Sequence, residues 1–382
     1  MELNSSNVVC NETVAWIWLS SLQPPFLALI SILGVVGNSL VLCVFCLQRK
    51  PCSVADVYLG NLAAADLIMV LCLPFWVVTI ARNYQWNFGQ LLCKVVNTAI
   101  SMNYYCSVLF LVLVSVDRYL ALAKPMTPSR LRCPKWAKRI CVVIWAVGFT
   151  LSLPAMLFRG VKFVPVVEVE ACYLVYPHPA WVLQRNITMN LVGFLVPLPI
   201  ILLCTFHMVK ALKNRGVGIQ PRVQTERKAA HLVLTVLVVF LLCWTPFQLL
   251  RFLNTLDYFN LLPGCLWEHI LQIGNELATY LGYSNSSINP FLYVIVGSHF
   301  QKRARGVFWS LLHPRRKSSS SVLTNVTVIM SVSHIEELVE PPSDRGSWEH
   351  KPLDGAQQRT SRKREQLITS QHSQGKRLLI FQ

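Results

Sequence analysis

Three consecutive residues, Asp117, Arg118 and Tyr119, close an apolar stretch of the sequence that runs from Val95 to Leu122. An unpaired ionisable side chain costs roughly 2.5–3.5 kcal/mol at the centre of a membrane helix, so charges in or near such stretches indicate function. The Asp117 carboxylate can hold the neighbouring arginine or release it to another group. The triplet therefore predicts a switch.

A second acidic residue, Asp66, lies in the middle of another apolar stretch. Other apolar stretches carry polar residues at a comparable depth: Asn38, Asn103, Ser107, Asn285 and Asn289. Oxygen ligands suit a small hard cation, so Asp66 with Asn103, Ser107, Asn285 and Asn289 predicts a hydrated Na⁺ site. The alternative is a packing network of interhelical hydrogen bonds.

No set of residues predicts catalysis or a further metal site. His207 and His231 are isolated within apolar stretches, so polar packing is the expected role of each. We therefore do not expect an enzyme.

The elements that position these residues follow from composition. Charged residues make up only 14% of the 382 residues, whereas a soluble chain has about 25%, so most of this chain is expected to face lipid. About 20 apolar residues cross a bilayer as a helix, which satisfies every backbone group internally. Seven stretches qualify: Gln23–Leu47, Val54–Ile80, Leu92–Leu122, Ala137–Phe158, Ala180–Leu212, Thr225–Leu256 and His269–Val296. The predicted fold is an all-α membrane protein, a seven-transmembrane helix bundle with a short amphipathic eighth helix.

Basic residues set the expected orientation. They are concentrated after the odd-numbered spans and beyond the seventh, which predicts an extracellular N-terminus and a cytosolic tail. The net charge of +17 then indicates attraction to anionic membrane lipid rather than to nucleic acid. No basic segment opens the chain, so the first span is expected to act as its own insertion signal. The predicted regions are an extracellular arm (1–22), the bundle (23–297), an amphipathic inner-leaflet helix (298–313) and a disordered Ser-rich tail (314–382).

Cysteines and modification sequons follow the same division between the two sides of the membrane. Cys10, Cys93, Cys172 and Cys265 fall in extracellular segments, where three pairings are possible. A Cys93–Cys172 bond would fix the second outer loop to the third span, and a Cys10–Cys265 bond would then tie the arm to the last outer loop. Asn4 and Asn11 begin sequons for glycosylation in the arm. The tail carries a predicted phosphorylation cluster: Ser318, Ser319, Ser320 and Ser321.

Motifs in a fixed order resemble those of the class A (rhodopsin-like) G-protein-coupled receptors, over residues 23–312. They are Gly37-Asn38, Leu62 to Asp66, Asp117-Arg118-Tyr119, Trp145, Pro197, Cys243 to Pro246 and Asn289 to Tyr293. The resemblance implies a ligand-driven rearrangement that opens an inner cavity for a heterotrimeric G protein, with arrestin and receptor kinases as further partners. It also implies that Glu226 holds Arg118 in the resting state. The implied activation switch comprises Asp117, Arg118, Tyr119, Glu226, Phe240, Trp244, Pro246, Asn289, Pro290 and Tyr293.

Further segments resemble the bradykinin (kinin) receptors within that family. They include Gln23-Pro24-Pro25-Phe26-Leu27, Leu73-Pro74-Phe75-Trp76, Ser101-Met102-Asn103 and Gln224-Thr225-Glu226-Arg227. Ser101 resembles the subtype that binds intact kinins, because the des-Arg-preferring subtype has a lysine there. The family holds the cationic peptide end with acidic residues where this chain has the neutral Asn254 and Gln272. The nearby carboxylates that could substitute for them by charge proximity are Asp257, Glu268 and Glu276. The expected ligand-binding residues are Trp86, Ile100, Ser101, Arg159, Trp244, Phe247, Asn254, Glu268, Gln272 and Glu276.

Alternatives stay open for two residues and for the whole chain. Trp86 could pack on the outer disulfide instead of touching ligand, and Arg251 could meet only lipid headgroups. The resemblance implies a plasma-membrane receptor for a kinin-like peptide. One alternative ligand is an angiotensin- or chemokine-like peptide. The alternative class is a channel or transporter, which should carry charged rings or paired broken helices.

Overall fold

The computed structural model describes residues 14–48, 51–124, 133–165, 168–214, 221–295 and 297–312. The chain begins with four long helices, which are α1 (Val14–Leu47), α2 (Val54–Ala81), α3 (Gly89–Ala123) and α4 (Pro134–Phe158). A hairpin of β1 (Arg159–Val164) and β2 (Val169–Leu174) follows. The remaining elements are α5 (Ala180–Asn190), a π-helical turn (Leu191–Leu195), α6 (Pro197–Asn214), α7 (Pro221–Tyr258), α8 (Cys265–Ile295) and α9 (Ser298–Leu312).

Six helical stretches among the described residues are long and apolar enough to cross a membrane. They are Leu19–Leu47, Val54–Ala81, Gly89–Ala123, Pro134–Phe158, Ala180–Lys213 and Ala230–Tyr258, and the fifth of them joins α5 to α6 through the π-helical turn. The seventh predicted span is α8, which packs against α7, α1 and α2. Its polar side chains face the bundle, since Glu276, Asn285, Ser286 and Asn289 are all buried. The structure therefore matches the predicted all-α bundle.

Several helices extend beyond the apolar stretches that the sequence predicts. Helix α1 begins at Val14 rather than Gln23, α3 at Gly89 rather than Leu92, and α8 at Cys265 rather than His269. The predictions followed the apolar composition of each stretch, whereas a helix ends where its backbone hydrogen bonds end. These helices therefore continue beyond their apolar portions.

The hairpin is an element that the all-α prediction did not contain. Its register pairs Arg159 with Leu174 and Val161 with Cys172. The Cys172 end is fixed to α3 by the Cys93–Cys172 disulfide, so that predicted pairing is confirmed. Cys265 is also disulfide-bonded, but its predicted partner, Cys10, lies outside the described residues. Asn4, Asn11 and the serine cluster at 318–321 lie outside them too.

The π-helical turn divides the fifth span immediately before Pro197. Proline has no N–H to donate, so the regular helical pattern is interrupted there, and the Val196 N–H instead bonds the Leu191 carbonyl at 3.0 Å. The turn brings Gly193 against α3, where an added Cβ would lie 1.7 Å from the Tyr104 hydroxyl oxygen. Only glycine permits this approach.

The main apolar core draws buried side chains from α1 to α4 and from α6 to α9. Its fully buried members include Tyr58, Leu62, Phe110, Leu111 and Phe240. Below it, Arg303 of α9 donates to the Asp56 carboxylate and to the Gln48 side chain, both at 2.6 Å. Helix α9 is therefore tied to the inner ends of α1 and α2, while its place on the inner leaflet stays a prediction.

Candidate functional site

The inner end of α3 holds the Asp117–Arg118 pair. Arg118 donates through Nε to Asp117 Oδ2 at 3.0 Å, and its Nη2 donates a second, shorter bond to the same oxygen. The Asp117 side chain is 6% exposed and that of Arg118 22%, so the arginine can reach the inner surface. Tyr119 packs on the His207 ring with centroids 5.6 Å apart. The side chain of Glu226 lies outside the described residues, so its bond to Arg118 stays a prediction.

Asp66 occupies the polar centre of the bundle and is fully buried. Its Oδ1 accepts from Asn103 at 3.0 Å, Ser107 at 3.3 Å and Ser286 at 2.7 Å, and its Oδ2 accepts from Asn289 at 2.9 Å. Three of the predicted neighbours of Asp66 are therefore brought to it.

Asn285, the fourth predicted neighbour of Asp66, is not brought to it. Among the described residues neither side-chain atom of Asn285 has a hydrogen-bond partner, and Ser286 bonds the carboxylate instead. Ser286 and Asn285 lie three and four residues before Asn289 and share its helix face. Spacing alone therefore could not show which of the two contacts Asp66. Asn38 joins the centre from α1 by donating to the Ser286 carbonyl at 2.9 Å.

The arrangement around Asp66 fits a small cation. The Asn289 Oδ1 atom is buried next to the carboxylate and, among the described residues, accepts no hydrogen bond. That oxygen, the Asp66 carboxylate and the Ser107 and Ser286 hydroxyls are hard ligands of the kind that alkali cations prefer. The donor set thus agrees with Na⁺.

An aromatic cluster on α7 lies between this centre and the outer half. The Trp244 ring contacts Tyr104 at 4.8 Å, Phe247 at 5.5 Å and Phe240 at 6.2 Å between centroids. A Cβ added at Gly282 of α8 would lie 3.1 Å from the Trp244 ring, so the two helices are in close contact here. Pro246 lies inside α7 directly after this contact. The other predicted switch residues, Asn289, Pro290 and Tyr293, are all buried on α8.

Tyr104 and Gln248 are residues of this cluster that the sequence did not indicate. The Tyr104 hydroxyl donates to the Met189 carbonyl at 3.0 Å and accepts a short bond from Gln248 Nε2. Together they connect α3, α5 and α7. A signal was present, because Gln248 follows Trp244 by one helical turn and so shares its face.

Trp86 was predicted to contact ligand, but it is 2% exposed. It packs on Phe88 at 5.1 Å and Trp76 at 5.8 Å, in a cluster that includes the Cys93–Cys172 disulfide, and its Nε1 donates to the Gly89 carbonyl. This arrangement supports the packing alternative for Trp86 in the first outer loop, and a ligand contact by this residue stays a prediction.

Arg159 is the first residue of β1 and is 8% exposed. Its Nη1 donates to the Cys172 carbonyl at 3.3 Å, and its Cζ lies 5.7 Å from the centroid of the Trp76 ring. Burial, together with the Arg185 guanidinium, lowers the pKa of Arg159 to about 10. Arg159 is thus a cation at the outer end of the bundle.

The carboxylates and amides of α7 and α8 form the rest of the outer half. Asn254 and Asn275 exchange hydrogen bonds at 2.8 and 3.2 Å, so Asn254 is paired with a residue of the protein. Glu276 is 3% exposed and accepts from the Tyr280 hydroxyl at 3.0 Å. Gln272 and Glu268 are half-buried one and two turns above it, respectively, and Ile100 and Ser101 are half-buried on α3.

Arg251 does not fit the alternative that it meets only lipid headgroups. It does not meet lipid headgroups, because it is 2% exposed inside the bundle. Its Cζ lies 4.7 Å from the Phe247 ring centroid. Since Arg251 follows Phe247 by four residues, it shares the inward face of α7, and that spacing was the available signal.

Comparison with known proteins gives consistent matches. Residues 37–293 match the family model described as 7 transmembrane receptor (rhodopsin family). The chain is 47% identical to the B2 bradykinin receptor of Cavia porcellus over 79% of this chain and 82% of that receptor. It is 46% identical to the Homo sapiens B2 bradykinin receptor over 77% of this chain and 76% of that receptor. It is 39% identical to the Homo sapiens B1 bradykinin receptor over 79% of this chain and 89% of that receptor.

Proposed function

Because the chain belongs to the rhodopsin family of seven-transmembrane receptors, we propose that it binds a bradykinin-like peptide and activates a heterotrimeric G protein. It is a multi-pass plasma-membrane receptor and not an enzyme. The B2 subtype is the better match in identity, which favours an intact kinin over its des-Arg form.

The observation that carries the ligand class is the buried carboxylate of Glu276. It lies in the outer half with Tyr280 as its hydrogen-bond donor and with neutral amides on the turns around it. Burying a carboxylate is costly unless a cation joins it, so a cationic peptide group is a fitting partner. Glu268, half-buried two turns further out, would extend this acidic path toward the solvent.

Transmission to the inner side would follow α7. A peptide reaching Phe247 and Trp244 presses on the aromatic cluster just before Pro246, where α7 lacks one backbone hydrogen bond. Movement of the inner half of α7 would separate it from the end of α3. Arg118 would then leave Asp117 and Glu226 and become available to the G protein.

An ion at the polar centre and partners of the tail complete the proposed function. The hard oxygen atoms around Asp66 would hold Na⁺ in the resting state, and the rearranged bundle would bind it less well.

Receptor kinases would phosphorylate Ser318–Ser321, and the phosphates would recruit arrestin through its basic groups.

The experiment is calcium mobilisation in cells that express the full chain. The cells are challenged with bradykinin, its des-Arg form, angiotensin and a chemokine panel. We expect a response to bradykinin, and a weaker one to the des-Arg form. Silence to both kinins, with the receptor present at the cell surface, would overturn the ligand class.

A substitution at Glu276 tests the site itself. Glu276→Gln keeps an acceptor for Tyr280 but removes the charge, and should weaken bradykinin binding by roughly tenfold or more. Asn275→Asp, one residue earlier, is the matched change of opposite sign and should not reproduce that loss. If the double variant Glu268→Gln, Glu276→Gln bound bradykinin with unchanged affinity, the cationic end of the peptide would have to bind elsewhere.

A further inference from the structure

Arg251 is a buried cation of the outer half whose role the proposed function leaves unassigned. It lies on α7 one turn outward of Phe247, with 2% of its surface exposed. Its guanidinium lies over the Phe247 ring at 4.7 Å, which holds it on the inward face of the helix. A guanidinium removed from water in this way loses hydration, and an anionic partner would offset that loss.

The hydrogen-bonding capacity of Arg251 is only partly used. Within the part of the chain that the structure describes, its Nε and Nη1 atoms have no acceptor, and it forms no ion pair with a carboxylate. Glu276 is close enough to interact with it electrostatically, but the Glu276 carboxylate is bonded by Tyr280. Arg159 differs, since it donates to the Cys172 carbonyl.

The surroundings of Arg251 belong to several elements. Tyr104 of α3, Tyr176 before α5, Arg185 of α5 and Tyr283 of α8 all lie within its electrostatic reach. Arg251 therefore faces the volume between the helices rather than the lipid. Arg185 adds a second positive charge there, which makes an anion more favourable still.

The chemistry of these donors selects the ligand group. A guanidinium presents parallel N–H donors that match the two oxygens of a carboxylate, in a short charge-assisted pair. Arg251 and Glu276 lie on facing helices without bonding each other. A peptide that ends in a cationic residue carries both complementary charges within that residue.

We infer that Arg251 binds the C-terminal carboxylate of the peptide, while Glu276 takes the cationic side chain of the same terminal residue. This assignment rests on the proposed function, because it requires a peptide ligand with a cationic end. It adds to that function a requirement for a free C-terminus.

The test compares bradykinin with its C-terminal amide, by competition binding and by calcium mobilisation on the full-length receptor. The wild-type receptor should prefer the free acid. Arg251→Gln should weaken binding of the free-acid peptide by roughly 10- to 100-fold, the range for a hydrogen bond to a charged group. It should change binding of the amide little. Arg251→Lys keeps the positive charge but not the parallel N–H donors of the guanidinium. It should therefore retain part of the preference for the free acid.

Arg303→Gln is the matched control. It removes an arginine at the opposite end of the bundle, whose side chain is 11% exposed, and should leave the ratio of the two affinities unchanged. Surface expression and binding of the amide report on folding of each variant. If Arg251→Gln lost affinity for both peptides equally while the wild type responded normally, the carboxylate assignment would be overturned. The proposal of a peptide ligand would still stand. A wild type that is silent to both peptides would overturn the proposed ligand class and this assignment together.

Discussion

Asp66 is surrounded by four side-chain donors from α3 and α8, and these donors determine what the centre of the bundle can bind. Two of them are serine hydroxyls, which can turn their oxygen lone pairs toward a cation as readily as they donate to a carboxylate. The centre can therefore exchange a hydrogen-bonded form for an ion-bound form with small side-chain rotations.

A sodium titration tests this exchange at single residues. Raising NaCl at constant ionic strength, with choline chloride as the balancing salt, should weaken peptide binding to the wild type. Ser286→Ala should reduce this sodium effect and Asp66→Asn should abolish it, because each removes an oxygen of the centre. Asn285→Ala is the control, since its amide does not contact Asp66. A sodium effect lost in Asn285→Ala but kept in Ser286→Ala would contradict the arrangement.

For single residues, the sequence predicted some contacts of the bundle but not every side-chain orientation. The sequence predicted the charged and polar residues of the bundle from their cost in lipid, and Asp66, Asn103, Ser107 and Asn289 do meet. It did not predict how Trp86 or Arg251 would be oriented. Each lies near the end of a span, where either the bundle or the headgroup region can accept a polar aromatic or a cation.

The fifth span shows how an element depends on one small residue. Its π-helical turn lets α3 approach until the Tyr104 hydroxyl fills the place of a Gly193 side chain. The same hydroxyl bonds the Met189 carbonyl and accepts from Gln248. The turn, α3 and α7 are consequently held together at one point.

Gly193→Ala should destabilise the receptor by about 1–3 kcal/mol, because the added methyl group overlaps the Tyr104 ring and hydroxyl. The measurement is the thermal unfolding midpoint in detergent. Gly306→Ala in α9 is the matched control, since nothing lies within 4 Å of its added Cβ. That control should be neutral or stabilising by up to about 1 kcal/mol. Equal midpoints for the two variants would exclude the close approach.

The elements of the chain were predictable to different degrees. Long apolar runs identify the spans because lipid forces them into helices. The hairpin was not predictable in this way, since Arg159 and Gly160 are neighbours in β1 and are both buried, without the alternation of an ordinary strand. Its first strand is held by Gln90 of α3, which accepts from the Val161 N–H at 2.7 Å.

On the scale of the whole molecule, two of the charged centres lie at opposite ends of the bundle. Glu276 and Arg251 lie in the outer half, and Asp117 and Arg118 at the inner end. Helix α7 passes both regions and carries Phe247, Trp244 and Pro246 between them. A rigid shift of that one helix would therefore change the surroundings of both centres.

The inner centre predicts a change in signalling without ligand. Glu226→Ala and Asp117→Asn should each raise basal G-protein activation, since each removes a carboxylate proposed to hold Arg118. The measurement is ligand-free nucleotide exchange on the G protein at equal surface expression. Lys210→Ala, a cation at the inner end of the fifth span, serves as the control. A flat basal signal in Glu226→Ala beside a raised one in Asp117→Asn would mean that Asp117 alone restrains the arginine.

The polar character of α8 has a consequence for how the protein is made. Among the described helices that form the bundle, α8 is the one that lacks an apolar stretch sufficient to cross a membrane by itself. Ser286, Ser287 and Asn289 of α8 form hydrogen bonds with α1 or α2, so insertion of α8 is favoured once those helices are in place. Helix α8 follows the other described spans in the chain, which provides this order of synthesis. Insertion of the seventh helix is thus an assembly step, in which the earlier helices rather than the lipid supply the favourable environment.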